Sequence, residues 1–97
     1  MYFPVTGWKN KKGTSERTCS CGSWKNHWVN NSGKTWPLFC SAAGCIQHAE
    51  VGAHVINSTI CDEWIIPLCN ACNQKTVEFS ISADTIPVPA NKEKTGC

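Results

Sequence analysis

The stretch CSAAGC (40–45) contains Cys40 and Cys45, and the stretch PLCNAC (67–72) contains Cys69 and Cys72. Zinc prefers four tetrahedral ligands, and thiolates bind it at about 2.3 Å. Two close cysteine pairs can each supply half of such a site, with Gly44 allowing the tight turn of the first pair. The spacing therefore predicts one closed, structural zinc site. Two disulfides or four buried free thiols are the alternatives.

The chain between the two pairs has room for one hairpin. Residues 51–56 are predicted to form a strand, residues 57–62 a polar turn containing Cys61, and residues 64–66 a second strand. Pro67 is expected to end that strand, and a helix is expected to begin near Leu68 or Cys69. A cysteine turn, a hairpin and a helix carrying the last pair form a treble clef, predicted here for about residues 38–80.

The flanking segments predict further elements around this core. Residues 1–8 are expected to be extended, residues 9–18 a basic loop and residues 76–81 a half-buried strand. Ser23 is a suitable N-cap for a short helix that presents Trp24, His27 and Trp28 on one face and ends near Gly33. A Pro-containing tail is expected over residues 83–97. The prediction is a single small α+β domain, residues 1–97, with extra strands and a short N-terminal helix.

Composition narrows the functional classes. The chain has 97 residues, eight cysteines and a net charge of +2. No apolar run approaches the roughly 18 residues of a membrane span, so no membrane partner is expected. The N-terminus shows no export signal, which predicts a cytoplasmic, reducing location where paired cysteines hold metal. If the chain were instead a secreted, disulfide-linked domain, Cys97 would be available for pairing with another molecule.

A second metal site is also suggested by the residues. Cys19 and Cys21 lie six to eight residues before His27, and His54 or Cys97 could complete the set. The competing interpretation is that His27 packs between Trp24 and Trp28.

The residues from Cys40 to about position 75 resemble the HNH endonuclease family. The matching motifs are the first cysteine pair, then AHV (53–55), then PLCNACN (67–73). The resemblance implies that His54 is the general base and that Asn73 is a ligand of a catalytic metal. Two positions depart from the family pattern, since Ala53 replaces the acidic ligand and Trp64 replaces the central Asn. The chain also resembles small microbial proteins with CSCGSW (19–24) and VGAHV (51–55), a resemblance that implies no activity.

These observations predict an HNH-like binding module that is stabilised by structural zinc and has no nuclease activity. Its partner would be nucleic acid, contacted by the basic residues in 9–25, or a protein, contacted by an exposed tryptophan patch. The alternative function is a metal-dependent HNH-type endonuclease with His54 as general base.

Overall fold

Four strands form a single antiparallel sheet in the computed structural model, which describes residues 3–11 and 23–90. In chain order the elements are β1 (Trp8–Asn10), α1 (Trp24–Ser32), β2 (Val51–Asn57), β3 (Ile60–Leu68), α2 (Asn70–Asn73) and β4 (Val88–Pro89). The strands lie in the order β1-β2-β3-β4. The predicted small α+β class is therefore confirmed.

The central hairpin of β2 and β3 is longer than predicted. Its register runs from Val51 opposite Leu68 to Asn57 opposite Ile60, so the turn contains only residues 58 and 59. Asn57 closes the turn, because its Oδ1 accepts hydrogen bonds from the backbone N–H and the hydroxyl of Thr59. The prediction of a polar turn over residues 57–62 is wrong, and Cys61 lies in a strand.

A bulge explains why this polar stretch can belong to β3. The register shifts between Val55 and Asn57, so extra residues of β3 face β2 there. Asp62 lies in this bulge with φ of 75°, a left-handed conformation that Asp adopts more readily than most residues. Alternation of apolar and polar residues is interrupted at a bulge, which is why the sequence resembled a turn.

Pro67 does not end β3, contrary to the prediction. It pairs with Gly52 across the hairpin, and its carbonyl accepts a hydrogen bond of 2.9 Å from the N–H of Ser41. In an antiparallel strand the N–H and C=O of one residue point in the same direction. The carbonyl of Pro67 points toward Ser41, so an N–H at this position would also point toward Ser41 and away from β2. The proline therefore removes no hydrogen bond from the β2–β3 ladder.

The two sides of the sheet bury different clusters. Strand alternation places Ala53, Val55, Trp64, Ile66 and Leu68 on one side, together with the four cysteines of the two pairs. We call this the cysteine face. The opposite side, the helix face, carries Ile65, which packs with Trp28 and Val88. His54, the neighbour of Ala53 and Val55 and the partner of Ile65, belongs to the helix face.

Helix α1 forms as the sequence predicts. The Ser23 side chain accepts a hydrogen bond of 3.1 Å from the N–H of Asn26, and Gly33 ends the helix with φ of 70°. His27 and Trp28 are buried, and Trp28 donates from Nε1 to the carbonyl of Ile86 at 2.7 Å. The first turn of α1 lies directly on β2, because a Cβ at Gly52 would be 2.5 Å from the carbonyl carbon of Trp24. Glycine is required at this close approach.

Two predictions for the C-terminal third are wrong. Residues 76–81 form no strand and make only single bridges, Phe79 with Trp8 and Ile81 with Ala42. The predicted tail over residues 83–97 includes β4, because Val88 pairs with Ile65 at the edge of the sheet, and its residues 91–97 lie outside the described part of the chain. Ile81 and Val88 are buried by contacts distant in the sequence, and local periodicity does not report such contacts.

Among the described residues, no helix combines the length and apolar character needed to cross a membrane.

Candidate metal centre

The first cysteine pair lies in a tight turn. The N–H of Cys45 donates to the carbonyl of Ala42 at 3.0 Å, and Gly44 has φ of 77°. The N–H of Cys40 donates to the carbonyl of Gln47 at 2.8 Å, which fixes the start of the turn against the segment that leaves it. Because only glycine adopts this conformation without strain, Gly44 allows both side chains to point to the same side.

The second cysteine pair is held by the start of α2. Cys69 is the N-cap residue, and its sulfur accepts a hydrogen bond of 3.4 Å from the N–H of Cys72. The carbonyl of Cys69 accepts from the N–H of Asn73 at 3.0 Å, which closes the first helical turn. Residues three positions apart share a helix face, so Cys69 and Cys72 present their thiols together.

The four sulfur atoms converge on one point of the cysteine face. All four lie within 4.8 Å of one another, and the Sγ of Cys45 is 3.9 Å from those of both Cys69 and Cys72. All four are free thiols. Four thiolates bound to one zinc ion at 2.3 Å would be about 3.8 Å apart, the edge of that tetrahedron. The arrangement is a cysteine cluster compatible with binding a metal ion.

The protein environment sets different proton affinities for these thiols. Burial, together with the neighbouring thiols that act in the same direction, raises the pKa of Cys72 to about 12. Burial likewise raises the pKa of Cys40. For Cys69 burial also acts upward, but the N–H of Cys72 and the adjacent thiols outweigh it, so the pKa of Cys69 is lowered. A bound cation would reverse the unfavourable cases, because it stabilises the thiolate directly.

Asn10 is a part of this centre that sequence reasoning missed. Its Nδ2 donates to the carbonyls of Cys72 and Lys75, at 2.9 and 3.0 Å, and so satisfies two carbonyls at the end of α2. The side chain comes from β1, 62 residues before Cys72 along the chain. An Asn after a tryptophan in an edge strand gives no sequence signal for such a role.

The two predicted catalytic residues, His54 and Asn73, lie in different elements, β2 and α2. His54 is 5% exposed on the helix face, and its ring contacts Trp24 edge-on at a centroid distance of 4.3 Å. Asn73 follows Cys72 in α2, the helix whose cysteines belong to the cysteine face. The sheet therefore separates the His54 imidazole from the cysteine cluster.

The suggested second metal site lies partly outside the described residues. Cys19, Cys21 and Cys97 fall outside 3–11 and 23–90, so the structure describes only the two histidines of the suggested set, His27 and His54. His27 is fully buried, and its Nε2 is 2.8 Å from the carbonyl oxygen of Pro89. Since a carbonyl only accepts, Nε2 is the donor in this contact. The ring also lies 5.1 Å from that of Trp24.

Comparison of the chain with protein-family models, with curated proteins and with solved structures gives no match.

Proposed function

We propose that Cys40, Cys45, Cys69 and Cys72 bind one structural zinc ion. The observation that carries this proposal is the convergence of four free thiols, with sulfur separations of 3.9 Å where a tetrahedral site requires about 3.8 Å. Soft thiolate donors favour zinc over hard cations such as magnesium. Four protein ligands leave no position for water or substrate, so the ion acts on stability rather than on catalysis.

The order of elements around this site supports an HNH-like treble clef. A cysteine turn at 40–45 is followed by the β2–β3 hairpin and then by α2 with the second pair. Zinc would join the cysteine turn to α2 directly, in addition to the backbone hydrogen bond from Ser41 to Pro67. Binding free energies of roughly 10–16 kcal/mol in zinc peptides exceed the whole stability of many small domains.

The proposed module has no nuclease activity. Ala53 offers no oxygen ligand beside His54, and hard catalytic cations require oxygen ligands. His54 is buried against Trp24 on the helix face, where water activation at a phosphodiester would need access for both water and nucleic acid. These two observations together favour a binding role over the endonuclease alternative.

Among the described residues, the surface favours a protein as the partner class; residues 12–22 of the predicted basic patch lie outside them. The tryptophans are not an exposed patch, since Trp8, Trp28 and Trp64 are buried and Trp24 and Trp36 are half-buried. Large apolar side chains are exposed beside the cysteine turn instead, at Leu38, Phe39 and Ile46. Exposed apolar patches of this kind mark protein contacts more often than nucleic-acid contacts, which are strongly cationic.

The test begins with native mass spectrometry of protein purified without chelator. One zinc ion per chain is expected, and it should be lost in the variant Cys69→Ser but kept in Cys61→Ser, a matched control in β3. Cobalt substitution should give the intense visible absorption of tetrahedral thiolate coordination. A metal-free protein whose mass is lowered by paired hydrogens would contradict the proposal and support the disulfide alternative.

The absence of nuclease activity is tested separately. Plasmid DNA incubated with zinc-loaded protein and Mg²⁺, Mn²⁺ or Ni²⁺ is expected to remain intact. Nicking that disappears in His54→Ala would establish the endonuclease instead. Binding to DNA or RNA that weakens steeply between low and moderate salt would show that the partner is nucleic acid rather than protein.

A further inference from the structure

A groove with a volume of about 710 Å³ opens beside the cysteine turn. One side is lined by residues 34–35, 37–41 and 45–46 and the other by residues 82 and 84–86, and Trp28 and Pro67 also line the groove. The backbone joins the two sides, since the N–H of Ser82 donates to the carbonyl of Ser41 at 2.8 Å. The groove is therefore a fixed part of the fold, with a volume in the range of known ligand and peptide sites.

The groove combines concave and protruding apolar surface. Ile46 is 80% exposed and Leu38 is 62% exposed, the values of side chains that stand out from the surface. Phe39, beside them, is half exposed at 51%. The surface around the groove thus contains both the groove and exposed side chains, Leu38 and Ile46, that could enter the groove of another copy. An isologous dimer requires this property, because each copy must present the same surface to the other.

Charges on the two sides of the groove are opposite. Lys34 lies on one side and Asp84 on the other, and both side chains are exposed. Because Lys34 and Asp84 belong to different lining segments, a twofold axis through the groove can pair Lys34 of each copy with Asp84 of the other. A purely basic or acidic partner would meet one attractive and one repulsive group, so the charge pattern favours a second copy of this chain.

We propose that this protein forms a symmetric dimer through the groove, with Ile46 and Leu38 of each copy inserted into the groove of the other. The inference rests on the proposed function in one respect. Cys40 and Cys45 line the groove, so a zinc ion bound to them would fix the wall that carries Ile46. The protein partner proposed in the preceding section is therefore a second copy of this chain.

Sedimentation velocity over about 10 µM to 1 mM tests this, because association must increase with concentration. The zinc-loaded chain is expected to shift from monomer to dimer. Ile46→Glu should raise the dissociation constant by roughly tenfold or more, because it places an unpaired carboxylate in the apolar contact. Val77→Glu is the matched control, since Val77 is 65% exposed but does not line the groove. A monomer at every concentration, or equal effects of the two variants, would overturn the proposal.

A charge exchange tests the symmetry itself. Lys34→Glu and Asp84→Lys should each weaken self-association about three- to tenfold, because each creates two like-charge pairs across the axis. An equimolar mixture should recover the dimer, since both pairs are then of opposite sign. A mixture that stays monomeric would refute the twofold arrangement. Zinc content measured on the same samples separates the two proposals, because a monomer that retains zinc refutes only the dimer.

Discussion

The contact between α1 and β2 can be tested by replacing one hydrogen atom with a methyl group. Gly52→Ala would place a Cβ 2.5 Å from the carbonyl carbon and 2.6 Å from the carbonyl oxygen of Trp24. Ordinary contact begins at 3.4 Å, so the first turn of α1 must move by about 0.9 Å. The obstructing atoms belong to the backbone, so no side-chain rotation can relieve the clash. The helix must move away from the sheet.

The expected cost follows from the packing that this movement disturbs. The Trp24 ring lies 4.3 Å from the His54 ring, and Trp28, in the same helix, packs against Ile65 and Val88. Overpacking a well-filled site costs about 1–3 kcal/mol of unfolding free energy. For a domain of this size the melting temperature should fall by about 4 to 24 °C. Thermal unfolding of the zinc-saturated protein, followed by circular dichroism, measures the change.

Gly33→Ala is the matched control. Nothing lies within 4 Å of a Cβ at Gly33, but its φ is 70°, so the substitution costs about 1–2 kcal/mol of backbone strain without a clash. Both variants should lose stability, but only Gly52→Ala should change the near-ultraviolet dichroism of the tryptophans. A loss below about 0.5 kcal/mol in Gly52→Ala, with unchanged tryptophan signals, would refute the close packing of α1 on β2.

Two further predictions concern the metal centre. Removing zinc should reverse the pH dependence of stability. In the metal-free protein the pKa of Cys72 is raised to about 12 from the usual 9.0. Its contribution to the free energy of unfolding is therefore fully present below pH 9 and is lost as the pH rises toward 12. The zinc-loaded protein should instead lose its metal as the pH falls, because protons compete for the thiolates; stability curves of both forms that run parallel in pH would contradict this. Asn10→Ala should weaken zinc binding by about ten- to a hundredfold, because it leaves the carbonyl of Cys72 without its hydrogen bond. Chelator competition measures the affinity, and Asn26→Ala, at an exposed position of α1, is the control. Equal affinities in the two variants would show that Asn10 does not support the site.

The sequence predicted those features that depend on neighbouring residues. Ser23 and Gly33 mark the ends of α1 because capping is a local interaction, and Gly44 marks the cysteine turn for the same reason. The positions of Cys69 and Cys72 on a short helix were also predicted from their spacing. Features that depend on distant contacts were not predicted. The pairing of Val88 with Ile65 turns an apparent tail into β4, and the single bridge between Phe79 and Trp8 replaces an apparent strand.

The candidate site divides in the same way. Convergence of the four thiols follows from two local motifs brought together by one hairpin, so cysteine spacing was sufficient to predict it. The placement of His54 was not predicted, because the face that a strand residue occupies depends on which side the neighbouring helix covers. Asn10 supports α2 from 62 residues away, and no local pattern reports such a contact.

The hairpin turn also has a consequence for how this protein can be produced. Asn57 begins an Asn-Ser-Thr acceptor sequence for N-linked glycans, yet it is 4% exposed, and its Nδ2 donates to the carbonyl of Thr6 at 2.8 Å. A sugar attached to that nitrogen would displace Thr6 and open the end of the hairpin. Expression through a secretory pathway would therefore set glycosylation against folding, and each chain modified at Asn57 would be unable to complete the sheet.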